Sequence, residues 1–411
     1  MLQSQILSVL PRRMLASLWA SAETRLTLSH FTANNHSNAT SPAFLCAELP
    51  VRYMHMLRLL SSLPLDALQS PMIKHVSHRY LHDLCTLLHP SMQNTSSRAF
   101  SDVMRRLRQR QATSLIRLRY ALAGSTMLMD NINTIGLGIQ FLTEQHLSWP
   151  DHVQAVSPVD IAMQAAEDVR QVCASCLGKQ PPSISITDKG SSQEMHYAPN
   201  ALHRILFESM LLAVRAHMTP STTTITSTSR WSSWSFMRKN KQRSIQLDIF
   251  GGPTSIGFRL DSPAPLLTRD TLHDIPRDPI GIPVAHQVLS STEADTLSKN
   301  GDEQLPNAEW HVWGGWRAAK TMASHWGGNL DAMSVDGLGT TMYLALDRDL
   351  TISERYPVYN PSRRRYNPET QLEAFLDAIS QQQNTTHQYQ RPAKDHSISL
   401  SAAVASAVAH A

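Results

Sequence analysis

The chain has no stretch approaching the roughly 18 consecutive apolar residues of a membrane span, and it has little cysteine. Four cysteines in 411 residues exclude a disulfide scaffold. Cys173 and Cys176 form a C-x-x-C without a second pair and inside a helical pattern, so two cysteines on a helix near a core are expected rather than a zinc site. Charge is also scarce. Acidic and basic residues make up 17% of the chain and nearly cancel, leaving a formal +4, too weak by itself to argue for nucleic acid. Acidic residues are nearly missing at the start: Arg12, Arg13 and Arg25 face only Glu23 within residues 1–42. Leu2, Ile6, Leu10 and Leu15 flank those arginines as in a basic amphipathic helix. This is the composition of a mitochondrial transit peptide rather than of a secretory signal, whose apolar core is denser. The alternative is an N-terminus without an address. Asn38-Ala-Thr has the glycosylation pattern but carries little meaning in a matrix protein.

What is present is enough for two domains with cores of their own. From Ala43 to about His146 the pattern is helical, with runs at 43–63, 68–89, 97–123 and 127–148, punctuated by Pro42, Pro64 and Pro90. Four helices with short connections predict a bundle over 43–152. An α/β domain is expected over 153–350: a helix from Pro158, an alternating strand at 183–187, a helix at 200–217, and strands at 245–249 and 255–260. A helix at 315–326 and a hairpin at 329–346 complete it. Residues 220–243 are expected to be a flexible surface insertion and 266–308 a lid. The tail, 351–411, is expected to be disordered after about 380.

The segment from Tyr197 to Ala216 carries the most chemistry. Leu202, Ile205, Leu206, Met210 and Ala213 recur at three- and four-residue spacing, which makes one face apolar. Glu208 is embedded in that run, either as a buried structural acid or as a catalytic base. The segment resembles the N-box helix of the mitochondrial kinases that regulate 2-oxoacid dehydrogenase complexes, the pyruvate dehydrogenase kinase and branched-chain ketoacid dehydrogenase kinase family. Tyr197, Pro199, Leu202, Leu206, Phe207, Glu208, Ala213, Arg215 and Ala216 match its pattern without a gap. Glu48-Leu-Pro-Val-Arg52, Asp130 to His146, and Glu354-Arg-Tyr-Pro-Val-Tyr-Asn360 resemble the same family, so the likeness covers about 43–366.

The resemblance implies an α+β fold: an N-terminal four-helix bundle followed by a Bergerat-type, histidine-kinase-like α/β sandwich. It implies ATP and Mg²⁺ as cofactors, Glu208 as general base, and Arg215, Asp261, Gly315, Gly339 and Thr340 at the nucleotide. The partners it implies are the E1 α-subunit of a pyruvate or branched-chain dehydrogenase complex, the E2 lipoyl domain, and a homo- or heterodimeric kinase partner in the mitochondrial matrix. Neither nucleic acid nor a membrane span is expected.

Several positions depart from the family pattern. Its magnesium-holding Asn is Leu212, and a hydrocarbon cannot ligate a cation that demands oxygen. Asn200 lies at the wrong end of the helix to replace it. Glu208 could take the metal only at the expense of its role as base. The glycine loop after Asp261 reads Ser-Pro-Ala-Pro265, with no N–H at either proline. Of the second glycine motif, Trp313-Gly-Gly-Trp-Arg317, only Gly315 falls on a family glycine, although Gly314 and Arg317 could serve an anion. Gln111 stands where the family has the His near its acid, in a basic run (Arg105, Arg106, Arg108, Arg110) expected to be a solvated helix face. No Trp follows Trp326, so the Asp-Trp pair that links two tails is missing. Two readings follow: a protein serine/threonine kinase with an altered metal site, or a catalytically inactive pseudokinase that docks on the complex or on an active kinase.

Overall fold

The computed structural model describes residues 10–32, 41–147, 153–177, 180–190, 194–218, 244–266, 308–335, 338–357 and 367–380. Most of the expected insertion at 220–243, most of the expected lid at 266–308, Asp336-Gly337 and the tail beyond 380 lie outside the described residues.

Helix α1 spans Arg12–Ala20, and four long helices follow: α2 (Pro42–Leu60), α3 (Pro71–Leu88), α4 (Ser97–Ala121) and α5 (Thr126–Leu147). Local chemistry sets three of their starts. Ser41, Ser70 and Ser96 each accept a hydrogen bond from a first-turn amide, and Pro42 and Pro71 occupy the first helical position, where no N–H is needed. Helix α2 packs on α3 and α5, and α4 packs on the same two, so the four surround one core. Tyr53, Leu57, Tyr80, Leu84, Phe100, Leu115, Ile135 and Leu142 are buried there.

The second unit is a five-stranded sheet with helices on one face. Its strands are β2 (Ile184–Asp188), β4 (Ile245–Gly251), β5 (Ser255–Ser262), β6 (Asn329–Val335) and β7 (Gly339–Asp347), in the order β2-β4-β5-β7-β6. The β2–β4 pair is parallel and the rest antiparallel. Two short strands, β1 (Gln154–Val156) and β3 (Met195–Tyr197), pair apart from it. Helix α7 (Pro199–Met218) packs between α6 (Pro158–Leu177) and α9 (Trp316–Ser324), and the three cover one face of the sheet. A one-turn helix, α8 (Ala308–His311), precedes α9. Ile245, Leu247, Ile256, Phe258, Leu260, Met342 and Leu344 point into that layer, while Gln246, Arg259 and Tyr343 alternate outward.

The expected leader boundary at residue 42 does not match the packing. Residues 12–31 are built into the fold: Leu15, Trp19, Leu26 and Phe31 are buried, and α1 packs on α2 and on a last helix, α10 (Pro368–Ser380). Composition was ambiguous because the apolar stripe of a targeting helix and that of a packed helix are the same pattern.

A fully buried ion cluster joins the two ends of the chain to both units. Arg52 donates through Nε to Glu48 at 2.8 Å, through Nη1 to Glu354 at 3.0 Å and through Nη2 to the Thr24 carbonyl at 2.9 Å. Its Nη2 also donates to the second Glu354 oxygen. Glu48 accepts from the Thr24 amide, Glu354 accepts from the Leu26 amide at 3.1 Å, and His325 lies 3.4 Å from Glu354. On α5 the approaching residue is Gly138, where any Cβ would collide with the Arg52 guanidinium. The two motifs at Glu48–Arg52 and Glu354, 302 residues apart, are thus the halves of one interaction.

Burial alone would raise the Glu354 pKa, but Arg52 and His325 outweigh it and hold the carboxyl at about 2. Burial, followed by the neighbouring Arg58, pushes His55 down to about 4, and its Nδ1 pairs with the Tyr356 hydroxyl at 2.7 Å. Both groups take up protons more readily in the unfolded chain, so acid favours unfolding. The His55 contribution is complete above about 6.5 and declines as pH falls towards 4. The Glu354 contribution declines below about 4.5. Thermal melts should therefore show Tm falling from pH 7 to pH 4, with His55→Gln flattening the part above pH 4.5. Arg52→Met should cost on the order of 3–5 kcal/mol, because it strands two buried carboxylates.

Candidate functional site

Helix α7 is buried along most of its length, from Arg204 to Ala216, because the sheet, α6 and α9 all pack on it. Glu208 projects from it toward the turn that opens α9. One carboxylate oxygen accepts from Arg204 Nη2 at 2.6 Å and the other from the Gly315 amide at 2.9 Å. Gly315 is the N-cap of α9, with φ +95°, a conformation that favours glycine, and it has no side chain to cap the helix. The Glu208 carboxylate therefore sits at the positive end of the α9 dipole, the position where a helix N-terminus would receive a phosphate.

The turn is held from other sides as well. Arg204 Nε donates to the Trp313 carbonyl at 3.2 Å, and its guanidinium stacks 3.9 Å from the centre of the Trp310 ring. Burial pushes the Arg204 pKa down, with Glu208 opposing it, so the pair compensate each other. Helix α4 contributes Arg108, which grips Glu309 at 2.8 Å, and Arg119, which reaches the Gly314 carbonyl at 3.5 Å. Helix α5 contributes Gln140, bonded to the Trp313 indole N–H, and Asp130, which pairs with Arg317 at 2.6 Å. Residues 309–317 are thus fastened to α4, α5 and α7. Gly314 and Arg317, expected as possible anion contacts, are engaged within the protein.

The candidate nucleotide residues divide into groups. Asp261, Gly339 and Thr340 come together at one end of the sheet, lining a cavity of about 410 Å³ with Gln246, Ser262 and Leu338; Glu208, Arg215 and Gly315 do not line it. Alternation along β5 points Asp261 away from the helix layer, and its oxygens accept from Thr341 at 2.6 Å and Arg259 at 3.0 Å. The Thr340 hydroxyl donates to the Ala264 carbonyl at 2.8 Å. A Cβ at Gly339 would overlap the Ser262 carbonyl. The Ser262–Ala264 segment therefore lies against Gly339 and Thr340, the contacts expected of a nucleotide.

Leu212 is buried in the core, with no oxygen to offer a metal. Among the described residues no group of three His, Cys, Asp or Glu side chains could hold a metal ion. Arg215 is buried two turns beyond Glu208, beside Cys173, whose thiol is raised to about 11 chiefly by burial. Cys176 is exposed, so the C-x-x-C is one core and one surface cysteine. Gln111 is buried and donates to the Gly136 carbonyl at 3.0 Å. Of the basic run, Arg105 and Arg106 are exposed as expected, whereas Arg108 and Arg110 are half-buried and paired with Glu309 and Asp83. Arg204 went unnoticed in the sequence, although its spacing from Glu208, one helical turn, was a legible signal. Trp310, Trp313 and Asp130 had no comparable signal, because their partners come from distant segments.

A helical unit packed on the helix layer of a one-sided mixed sheet, with a buried acid in that layer, defines an α+β protein. Residues 24–168 match the family model described as mitochondrial branched-chain alpha-ketoacid dehydrogenase kinase. That stretch is about a third of the chain, and over it the chain is similar to this family. The matched stretch runs from Thr24 of the ion cluster through the four long helices into α6 and stops short of Glu208. No curated protein matches the chain. Among the described residues no helix is long and apolar enough to cross a membrane.

Removing Glu208 should expose its structural task. Glu208→Ala leaves Arg204 buried without its counter-charge and the α9 N-terminus uncapped, and should cost about 3–5 kcal/mol in denaturant melts. A double-mutant cycle with Arg204→Met should recover a large part of that loss, because the stranded charge goes with it.

Proposed function

We propose that this chain regulates a mitochondrial 2-oxoacid dehydrogenase complex by docking, as a pseudokinase, and not by phosphoryl transfer of its own. The supporting observation is the Glu208 carboxylate, whose two oxygens are taken by Arg204 and the Gly315 amide. A general base needs a lone pair within reach of the substrate hydroxyl. Here the base position does the work of a helix cap and a counter-ion.

The residues present do not fit Mg²⁺-ATP. Leu212 offers no oxygen where the family holds its metal, so nothing there would neutralise the charge that builds on the transferring phosphoryl group. The loss of one such electrostatic contact is worth roughly a hundredfold in rate or more. The Gly314–Gly315 amide side faces Glu208, and a γ-phosphate would have to displace that carboxylate. Pro263 and Pro265 leave the loop after Asp261 without two donors.

On this reading the complex is a branched-chain or pyruvate dehydrogenase in the matrix, and the contacts are with its E1 α-subunit, its lipoyl-bearing E2 core or a related active kinase. The branched-chain complex is favoured by the family description that residues 24–168 match. A second reading, an active kinase, draws on one observation: Glu208 stands directly opposite the Gly314–Gly315 turn, as a base facing a phosphate site would.

Calorimetry separates the two. The unmodified protein should show no Mg²⁺-dependent ATP binding, and Leu212→Asn alone should not restore it, because the Glu208–Gly315 contact remains. Pull-down of the dehydrogenase core should persist in both proteins. Micromolar, magnesium-dependent ATP binding together with E1 phosphorylation would establish the kinase instead.

A further inference from the structure

Asn200, His203 and Arg204 lie one helical turn apart at the start of α7, a spacing that puts them on one side of the helix. That side looks toward α5 and the Glu309–Trp313 turn, where a cavity of about 230 Å³ remains between the elements. Its wall is mostly apolar. Leu137 and Phe141 of α5, together with Trp313 and Met322, line it and are all buried. Trp310 lines it as well and is exposed, so the cavity meets solvent there.

Arg204 brings a charge to this apolar space. The residue is 8% exposed, and two of its three guanidinium nitrogens are occupied: Nε by the Trp313 carbonyl at 3.2 Å and Nη2 by Glu208 at 2.6 Å. Nη1 is buried and has no hydrogen-bond partner among the described residues. A buried cationic donor without an acceptor is a costly feature that calls for a function or an occupant. The group is planar, with Nε and Nη2 sharing the edge toward Glu208 and the turn, so Nη1 points the other way. Burial pushes the Arg204 pKa down, Glu208 opposes it, and nearby Arg119 adds a like charge. A further anion at Nη1 would relieve both the burial and the repulsion.

The acids on the wall do not stand in for that anion. Glu309 gives both oxygens to Arg108. Glu144 accepts from Gln140 at 2.6 Å, and burial raises its carboxyl toward the neutral form, against Gln140 and Arg108. His203 is held by Asp168 at 2.8 Å. One nitrogen with two N–H groups matches a single carboxylate, whereas a phosphate dianion in so apolar a cavity would require more donors. Phe141, Trp310 and Trp313 offer ring surface to the body that carries it.

We propose that this cavity is a binding site for a small aryl carboxylate, with its carboxylate on Arg204 Nη1 and its ring against Leu137, Phe141 and Trp313. The site joins the two units, because α5 belongs to the bundle and α7 to the layer on the sheet. An occupant therefore stabilises the way they meet. The assignment is independent of whether the chain transfers phosphate, since neither Glu208 nor Gly315 lines the cavity.

The test is calorimetric titration of the full-length chain with benzoate, with its neutral counterpart benzamide, and with inorganic phosphate as competitor. Benzoate should bind, benzamide should bind about tenfold more weakly or worse, and phosphate should not compete. Ala201→Trp fills the cavity from α7 without removing a charge, and it should lose benzoate binding while its Tm stays unchanged. Arg204→Met/Glu208→Ala, which removes both members of the buried pair, should bind benzoate no better than benzamide. Absence of benzoate binding at millimolar concentration, equal binding of benzoate and benzamide, or undiminished binding by Ala201→Trp would overturn the proposal. Competition by phosphate would make this a site for a bare anion and overturn the aryl assignment.

Discussion

The structure depends on a single buried guanidinium. Arg52 has no contact with solvent, and its charge is tolerable only because Glu48 and Glu354 surround it and backbone groups from residues 24 and 26 finish the shell. Such clusters are costly to desolvate and stabilise little against a hydrophobic equivalent, but they penalise any arrangement that leaves one member unmatched. Here the members come from the N-terminal segment, the first long helix and the segment after β7, with His325 at the end of α9 alongside. Both units must be correctly placed before the cluster closes. The cluster therefore acts as a specificity device for how the two halves meet.

The candidate site is built on the same logic at the opposite end of α9. Glu208 is buried, so it too requires compensation, and it finds it in Arg204 and the Gly315 amide. The compensation that makes the acid affordable also occupies it. Three residues that would hold a nucleotide elsewhere are reused as internal fasteners: Arg317 on Asp130, Thr340 on Ala264 and Gly315 on Glu208. The family resemblance and the proposed lack of catalysis are compatible on this view. The scaffold positions are kept because the packing still needs them, independently of any chemistry they once served.

Much of this was legible in the residues alone. Helical runs punctuated by prolines announced α2 and α3, alternation announced β4 and β5, and the i, i+3, i+4 apolar recurrence announced α7, because these signals act within one turn or one strand. The hydrocarbon of Leu212, where the family resemblance expects a metal ligand, was equally plain, since a side chain's chemistry does not depend on its surroundings. The resemblance of the Glu48–Arg52 and Glu354 motifs to one family was readable too, although their physical contact was not.

What the tertiary structure decided was pairing. Whether Glu208 is base or counter-ion depends on Arg204 and on a glycine 107 residues away. Whether residues 12–31 are leader or core depends on Phe375, Arg52 and Glu354, all distant in sequence. Asp261 was expected just after the strand at 255–260 but lies within β5, and the face it occupies follows from which side the helices cover. By itself the sequence determined most of the elements, a family resemblance and the hydrocarbon at Leu212, since each is carried by local pattern or single-residue chemistry. Only the fold determined which charges are satisfied and by whom, because compensation of a buried charge is a property of the neighbours that long-range packing brings to it.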